Sequence, residues 1–220
     1  MRLPDVVPVR LVLADDEALL RRGLRVLLEA DGRVRVVAEA ADGAALLEAV
    51  RRHRPDVALV DVQMPGMDGL SALRALLAWA DPPAVAVLTT FDLDDYVATA
   101  LELGAQGFLL KDAEPEALVR AVVDLAAGGA VLDPRITARL LPKLRAAGRF
   151  RHNPQLGALS AREKQVLARI ASGQSNSTIA AGLGLSEATV KSYVSTVLTK
   201  LGVENRVQAA LVAHQVGGSW

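Results

Sequence analysis

Asp56-Val-Ala-Leu-Val60 runs directly into Asp61-Val-Gln-Met-Pro-Gly-Met-Asp-Gly69, so a short apolar run ends against a carboxylate. The run is entered through Pro55 and predicts a buried strand. Residues 68–79 follow with helical spacing, so the stretch reads as strand, loop and helix. Asp61 stands at the carboxyl end of the strand.

The same unit recurs on both sides. Upstream, Val9-Arg-Leu-Val-Leu-Ala14 predicts a strand, and residues 17–30 carry leucines at 19, 20, 24, 27 and 28 in helical spacing. Val34-Arg-Val-Val-Ala38 predicts a second strand, and Asp42 to Val50 a second helix. Downstream, Ala84-Val-Ala-Val-Leu88 follows Pro82-Pro83, and a helix over 93–103 ends at Gly104. Gly107-Phe-Leu-Leu110 is the fifth strand, and a helix over 114–127 ends at Gly128-Gly129. Five strand–helix units in about 120 residues imply a parallel sheet with helices on both faces. Such sheets bind ligands outside the carboxyl ends of their strands.

That rule gathers the polar residues. Asp15 and Asp16 follow the first strand, Asp61 ends the third, Thr89 and Thr90 end the fourth, and Lys111 ends the fifth. Three neighbouring carboxylates repel one another and require a cation. Oxygen ligands without Cys or His indicate Mg²⁺. A carboxylate beside a divalent ion, a hydroxyl and a lysine suits receipt of a phosphoryl group, with the carboxylate as nucleophile. Any one such Asp is commonly a loop residue or a helix cap; the complete set is far more specific.

Composition bounds the alternatives. At about 150 residues per domain, the 220 residues make one or two domains, and two is the expectation. The chain is 51% apolar with 3% aromatics, so the core is aliphatic. It contains no cysteine, which excludes disulfides, thiolate zinc sites and cysteine nucleophiles and fits a reducing cytoplasm. No window approaches about 18 uninterrupted apolar residues, so no membrane span is expected. The first ten residues lack the apolar core of a secretory signal. Net charge is zero but divided: residues 1–130 hold 13 Lys and Arg against 21 Asp and Glu, and residues 131–220 hold 12 against 4. A basic rear half fits a polyanionic partner.

Residues 131–155 carry five arginines and one lysine, include Pro134 and Pro142, and end in His152-Asn-Pro154. They read as a partly helical linker, with a helix over 134–147. Ser160-Ala-Arg-Glu163 then fits a capping box. Val166, Leu167 and Ile170 line one face of the following helix, which Gly173 ends. Ser175 caps a second helix, and Gly182-Leu-Gly184-Leu185 forms a turn. Ser186 caps a third helix over 187–201, ended by Gly202, and a fourth spans 205–216. Two helices joined by a short glycine-containing turn predict a helix-turn-helix whose second helix enters the major groove. His53, His152 and His214 show no metal spacing.

Asp15-Asp16, Asp61-Val-Gln-Met-Pro-Gly-Met-Asp-Gly69, Leu88-Thr-Thr90 and Phe108-Leu-Leu-Lys111 resemble the receiver domain of two-component response regulators. The resemblance implies a flavodoxin-like fold of five parallel strands in the order 2-1-3-4-5. It implies that Asp61 accepts a phosphoryl group from a phosphohistidine of a sensor histidine kinase. Asp16, Asp61 and the backbone carbonyl of Gln63 would hold Mg²⁺, with Asp15 acting largely through metal-bound water. Thr89 and Lys111 would meet the phosphoryl group. Phe108 stands where the family carries an aromatic switch residue, and core packing is its other reading. Many relatives carry Pro after the lysine; Asp112 stands here, and a cis bond without Pro costs roughly 3–4 kcal/mol.

Leu159-Ser-Ala-Arg-Glu163, Gly173-Gln-Ser-Asn176, Ile179-Ala180, Leu185-Ser-Glu-Ala-Thr-Val-Lys191 and Lys200-Leu-Gly202 resemble the LuxR/NarL-type DNA-binding domain, an all-α unit of four helices. The resemblance places Thr189, Lys191, Ser192 and Ser195 toward double-stranded DNA. Tyr193 replaces a usual His, Ser195 a frequent basic residue, and Ser177-Thr178 the usual Lys-Glu.

Together these imply a NarL/FixJ-type response regulator, not an enzyme. A receiver (8–130), a linker (131–155) and a DNA-binding domain (156–220) would bind DNA as a homodimer once phosphorylated. A phosphorylation-independent regulator, using its receiver only to dimerise, is the alternative. A haloacid-dehalogenase-type phosphotransferase would carry a second Asp where Gln63 stands.

Overall fold

The computed structural model describes residues 7–90, 94–133, 135–136, 154–203 and 205–215, with side chains at 94, 95, 154, 155 and 215 excepted. Most of the expected linker, its helix over 134–147, His152 and residue 216 of the last expected helix lie outside these residues. The chain forms two compact units, Met1–Ala126 and Ala127–Trp220.

In the first unit, β1 (Val9–Ala14), β2 (Val34–Ala40), β3 (Val57–Asp61), β4 (Ala84–Thr89) and β5 (Gly107–Leu110) alternate with five helices: α1 (Ala18–Glu29), α2 (Gly43–His53), α3 (Gly69–Leu77), α4 (Asp94–Leu103) and α5 (Pro115–Ala126). These strands lie in the order β2-β1-β3-β4-β5, all parallel, as the resemblance implies. Every residue of β3 and β5 is buried, which is why both read as unbroken apolar runs rather than as alternating ones. The pairing carries Leu13 and Ala14 of β1 beside Leu59 and Val60 of β3, and Asp61 beside Leu88 of β4. The carboxyl ends of β1, β3 and β4 are thereby brought level.

Local chemistry starts the helices. The Asp42 carboxylate accepts the Ala45 N–H at 2.8 Å at the head of α2, and Asp68 accepts the Ser71 N–H at 2.7 Å at the head of α3. The carbonyls at the end of α2 receive the Arg10 guanidinium, whose Nη1 donates to Arg54 O and Nη2 to His53 O. Arg54, with φ of 43°, is the one non-glycine residue in the left-handed region among the described residues.

The second unit opens with β6 (Val131–Leu132), a sixth strand where the sequence predicts five; two residues carry no readable period. A 3₁₀ turn (Pro154–Ala158) precedes α6 (Ala161–Ala171), α7 (Asn176–Leu183), α8 (Glu187–Leu201) and α9 (Arg206–Gln215). Ser160, Ser175 and Ser186 are the N-caps of α6, α7 and α8, and the capping box of Ser160 and Glu163 is complete. Gly184 and Gly202 end α7 and α8 with φ of 65° and 64°, a conformation that glycine adopts at no steric cost. Leu159, Val166, Leu167, Ile170, Ile179 and Val197 are among the aliphatic side chains of the core.

Candidate phosphoacceptor site and helix-turn-helix surface

The ends of β1, β3 and β5 bring Asp15, Asp61 and Lys111 into one cluster. Lys111 Nζ lies 2.8 Å from Asp61 Oδ2 and 2.8 Å from Asp15 Oδ2. All three side chains are nearly sealed from solvent, at 8% exposure for Lys111, 5% for Asp61 and 0% for Asp15. Asp15 Oδ1 accepts the Glu17 N–H at 2.9 Å, and Asp61 Oδ1 accepts the Gln63 N–H at 3.4 Å. Burial pushes the Asp61 carboxyl above the usual carboxylate value, against the opposing pull of Lys111. Burial alone lowers the Lys111 ammonium, but its hydrogen bonds to Asp15 and Asp61 outweigh this and hold it above the usual lysine value.

Asp16 is exposed at the mouth of the cluster. One carboxylate oxygen from each of Asp15, Asp16 and Asp61 lies within 4.8 Å of the others. Three convergent carboxylates, without His or Cys, form a hard-oxygen donor set that fits a small divalent cation such as Mg²⁺.

Thr89 ends β4 at 1% exposure, and its hydroxyl donates to the Thr90 carbonyl at 3.0 Å. Phe108 is wholly buried in β5, opposite Val87 of β4. The described residues contain no cis peptide, so the Lys111–Asp112 bond is trans.

Two supports of the cluster escape the sequence-level reading. A Cβ on Gly69 would stand 2.0 Å from the Asp61 carbonyl oxygen, so α3 can begin directly beneath Asp61 only with a glycine there. Arg21, on α1, donates to the Asp15 carbonyl through Nη1 and to Glu39 Oε2 through Nε at 3.1 Å. An arginine among polar helix positions carries no signal of such a role.

In the second unit, Thr189, Lys191, Ser192 and Ser195 are all exposed on α8. The Thr189 hydroxyl lies 2.8 Å from Ser186 Oγ and is thus engaged at the N-cap. Thr196 and Thr199 turn their hydroxyls back onto the carbonyls of Ser192 and Ser195. The helix is clamped at both ends by α6. Arg162 Nη2 donates to Leu183 O at 2.7 Å, and Arg169 Nη2 to Gly182 O at 3.2 Å, which holds the turn before α8. At the far end, Lys200 Nζ donates to both oxygens of Glu163, at 2.9 and 2.8 Å. The sequence marks Glu163 as a capping residue but not as the partner of Lys200.

Comparison with known proteins agrees with this geometry. Residues 11–123 match the response regulator receiver domain, and residues 157–213 match the bacterial regulatory proteins of the luxR family. The chain is 43% identical over 213 residues to a protein of Mycobacterium tuberculosis described as a probable transcriptional regulatory protein NarL, covering 97% of each chain. The crystal structure of the response regulator ChrA, of a heme-sensing two-component system, is 40% identical with a TM-score of 0.55, covering 96% of this chain and 98% of that one. A structure of two RcsB dimers bound to DNA is 28% identical with a TM-score of 0.57, covering 97% of this chain and all of that one. Among the described residues no helix is long and apolar enough to cross a membrane. A receiver with an acidic cluster at its strand ends, followed by a capped helix-turn-helix, is the plan of a transcriptional regulator and not of an enzyme, and the chain belongs to the NarL-type response regulators with a LuxR-family DNA-binding domain.

Proposed function

We propose that Asp61 is the phosphoacceptor of this response regulator and that its phosphorylation controls operator binding by the second unit. The observation that carries the reading is the Asp61 carboxylate itself, buried and 2.8 Å from Lys111, beside Asp15 and Asp16. One Asp61 carboxylate oxygen attacks the phosphorus of a phosphohistidine on a sensor histidine kinase. The new bond is an acyl phosphate, the phosphorus–nitrogen bond breaks, and the histidine leaves with the electron pair. Asp15, Asp16, Asp61 and the Gln63 backbone carbonyl are the groups that would hold Mg²⁺. When bound, that ion neutralises charge on the transferring oxygens.

The chain's own residues do the rest. Lys111 exchanges part of its ion pairing for a phosphoryl oxygen. Thr89 turns its hydroxyl from the Thr90 carbonyl toward the same group. Such a change of charge and orientation biases a two-state receiver, and Phe108 is the aromatic residue placed to follow it. Lys191, Ser192, Ser195 and Thr189 form the DNA-facing surface of α8. Binding as a homodimer to two half-sites follows from the symmetry that helix-turn-helix dimers share with their operators. A cysteine-free chain of this family acts in the cytoplasm.

Incubation of the full chain with acetyl phosphate and Mg²⁺ tests the assignment by intact mass. Wild type gains one phosphoryl group and Asp61→Asn gains none. Equal modification of the Asn variant overturns the choice of acceptor.

A further inference from the structure

Arg206, the first residue of α9, is only 7% exposed. Its Nη1 donates to the Gly128 carbonyl at 3.0 Å and to Asn176 Oδ1 at 2.7 Å, and its Nη2 donates to the Gln174 carbonyl. Gly128 lies two residues beyond the end of α5. Gln174 and Asn176 flank Ser175, the N-cap of α7, which is the first helix of the helix-turn-helix pair. One buried guanidinium therefore joins the chain leaving the receiver to the start of the DNA-binding motif.

The neighbouring residues reinforce that junction. Gly128 has φ of 74°, and a Cβ there would stand 3.1 Å from Asn176 Nδ2. The Ala130 carbonyl approaches Gly173, lying 3.6 Å from the position of a Cβ. Leu132 packs against the helical core. Gly128, Ala130 and Leu132 fall in neither family-matched segment, since the receiver match ends at 123 and the luxR match begins at 157. The bonds from Arg206 to Gln174 and Asn176 lie inside the luxR segment and serve that fold. The bond to Gly128 reaches outside it, to the segment that follows α5 and opens the second unit.

A guanidinium suits such a role. It stays charged at every relevant pH and directs several donors from one rigid plane. Pulling the 128 segment away removes an acceptor from a buried cation, which is costly, so the junction holds or lets go rather than stretching. We propose that Arg206 is a positioning residue that couples the receiver's phosphorylation to the N-terminus of α7 through the carbonyl of Gly128. The proposal rests on the phosphorylation-controlled reading above and deepens it by naming where the signal enters the DNA-binding motif.

The test uses the full chain, wild type and Gly128→Val, each with and without acetyl phosphate and Mg²⁺. Intact mass gives phosphate occupancy, and amide hydrogen exchange is read over residues 174–183. Valine leaves Arg206, Gln174 and Asn176 in place but cannot hold the left-handed φ or the close approach to Asn176. In wild type, phosphorylation changes exchange at 174–178 by about fivefold or more, the lower end of common coupling factors. In Gly128→Val that response is lost at equal phosphate occupancy. Arg206→Lys, which keeps the charge but not the fork, loses it as well. A residue that only stabilised the fold would shift exchange equally in both states and leave the response intact. A response retained in Gly128→Val, or absent in phosphorylated wild type, overturns the coupling. A wild-type chain that takes up no phosphate instead defeats the phosphorylation reading, and the two failures are distinguished by mass alone.

Discussion

Lys111 Nζ donates to Asp61 Oδ2 at 2.8 Å across 50 positions of sequence. The same ammonium lies 2.8 Å from Asp15 Oδ2, so a single cation is shared by two carboxylates that the fold seals from water. A divalent ion bound by these carboxylates would share that role with the lysine.

Lys111→Met tests that sharing. It strands two buried carboxylates, and breaking a buried pair by removing one partner costs about 3–5 kcal/mol. Urea unfolding in a Trp220→Phe background, with Trp79 as reporter, should show that loss without Mg²⁺ and partial recovery with it, because ligand binding to the folded state stabilises by mass action. An unchanged unfolding midpoint would mean that the ion pair does not support the receiver.

Gly69→Ala tests the packing beneath Asp61. The added Cβ would lie 2.0 Å from the Asp61 carbonyl oxygen, so α3 or the end of β3 must shift. Overpacking of this kind costs about 1–3 kcal/mol. The same Trp79 reporter should register the loss, and the rate of phosphorylation by acetyl phosphate should fall with it. Wild-type stability and rate together would show that α3 moves freely here.

These contrasts mark what the sequence makes legible. β1, β5 and α8 have the bounds that their apolar runs, caps and glycines predict. β2 continues to Ala40, two residues past its apolar run, because Glu39 and Ala40 still pair with Leu13 and Ala14 of β1. Pairing is a property of the sheet and leaves no local mark. Asp15, Asp61 and Lys111 are readable as a cluster because strand ends converge by rule. Arg21, Gly69 and Arg206 are not, because each acts on a backbone carbonyl of another segment, and a carbonyl has no letter in the sequence.

Glu163 provides a pH test in the second unit. Hydrogen bonds from Lys200, and then from the Ser160 N–H, hold its carboxyl below the usual glutamate value of 4.5. A depressed pKa in the folded state means that its contribution is fully present above the unfolded value and is lost as pH falls through the folded one. Hydrogen exchange over residues 160–171 and 196–203, corrected for intrinsic rates, should therefore lose protection in wild type as pH falls below 4.5. In Glu163→Gln the protection should be lower at neutral pH and less dependent on acid. Identical pH profiles for the two proteins would remove the Glu163–Lys200 pair as a support of α8.

Lys191 is exposed on α8, between the exposed Thr189 and Ser192. Its position about one turn into the helix is where a side chain reaches base edges in a major groove. The surrounding surface is otherwise hydroxyl-rich, and Thr196 and Thr199 direct their hydroxyls inward to backbone carbonyls. Lys191 thus carries the strongest donor on this part of the helix. If it reads a guanine, Lys191→Ala should cost about 1–3 kcal/mol and relax preference at one operator position. If it only neutralises a phosphate, binding should weaken evenly across sequences and the salt slope should become shallower by about 0.9. Selection of bound duplexes from a randomised pool by the phosphorylated full chain, followed by salt titration of wild type and variant on a selected duplex, distinguishes the two. An alanine variant with wild-type affinity, preference and slope would take Lys191 out of the interface while leaving the helix-turn-helix itself in place.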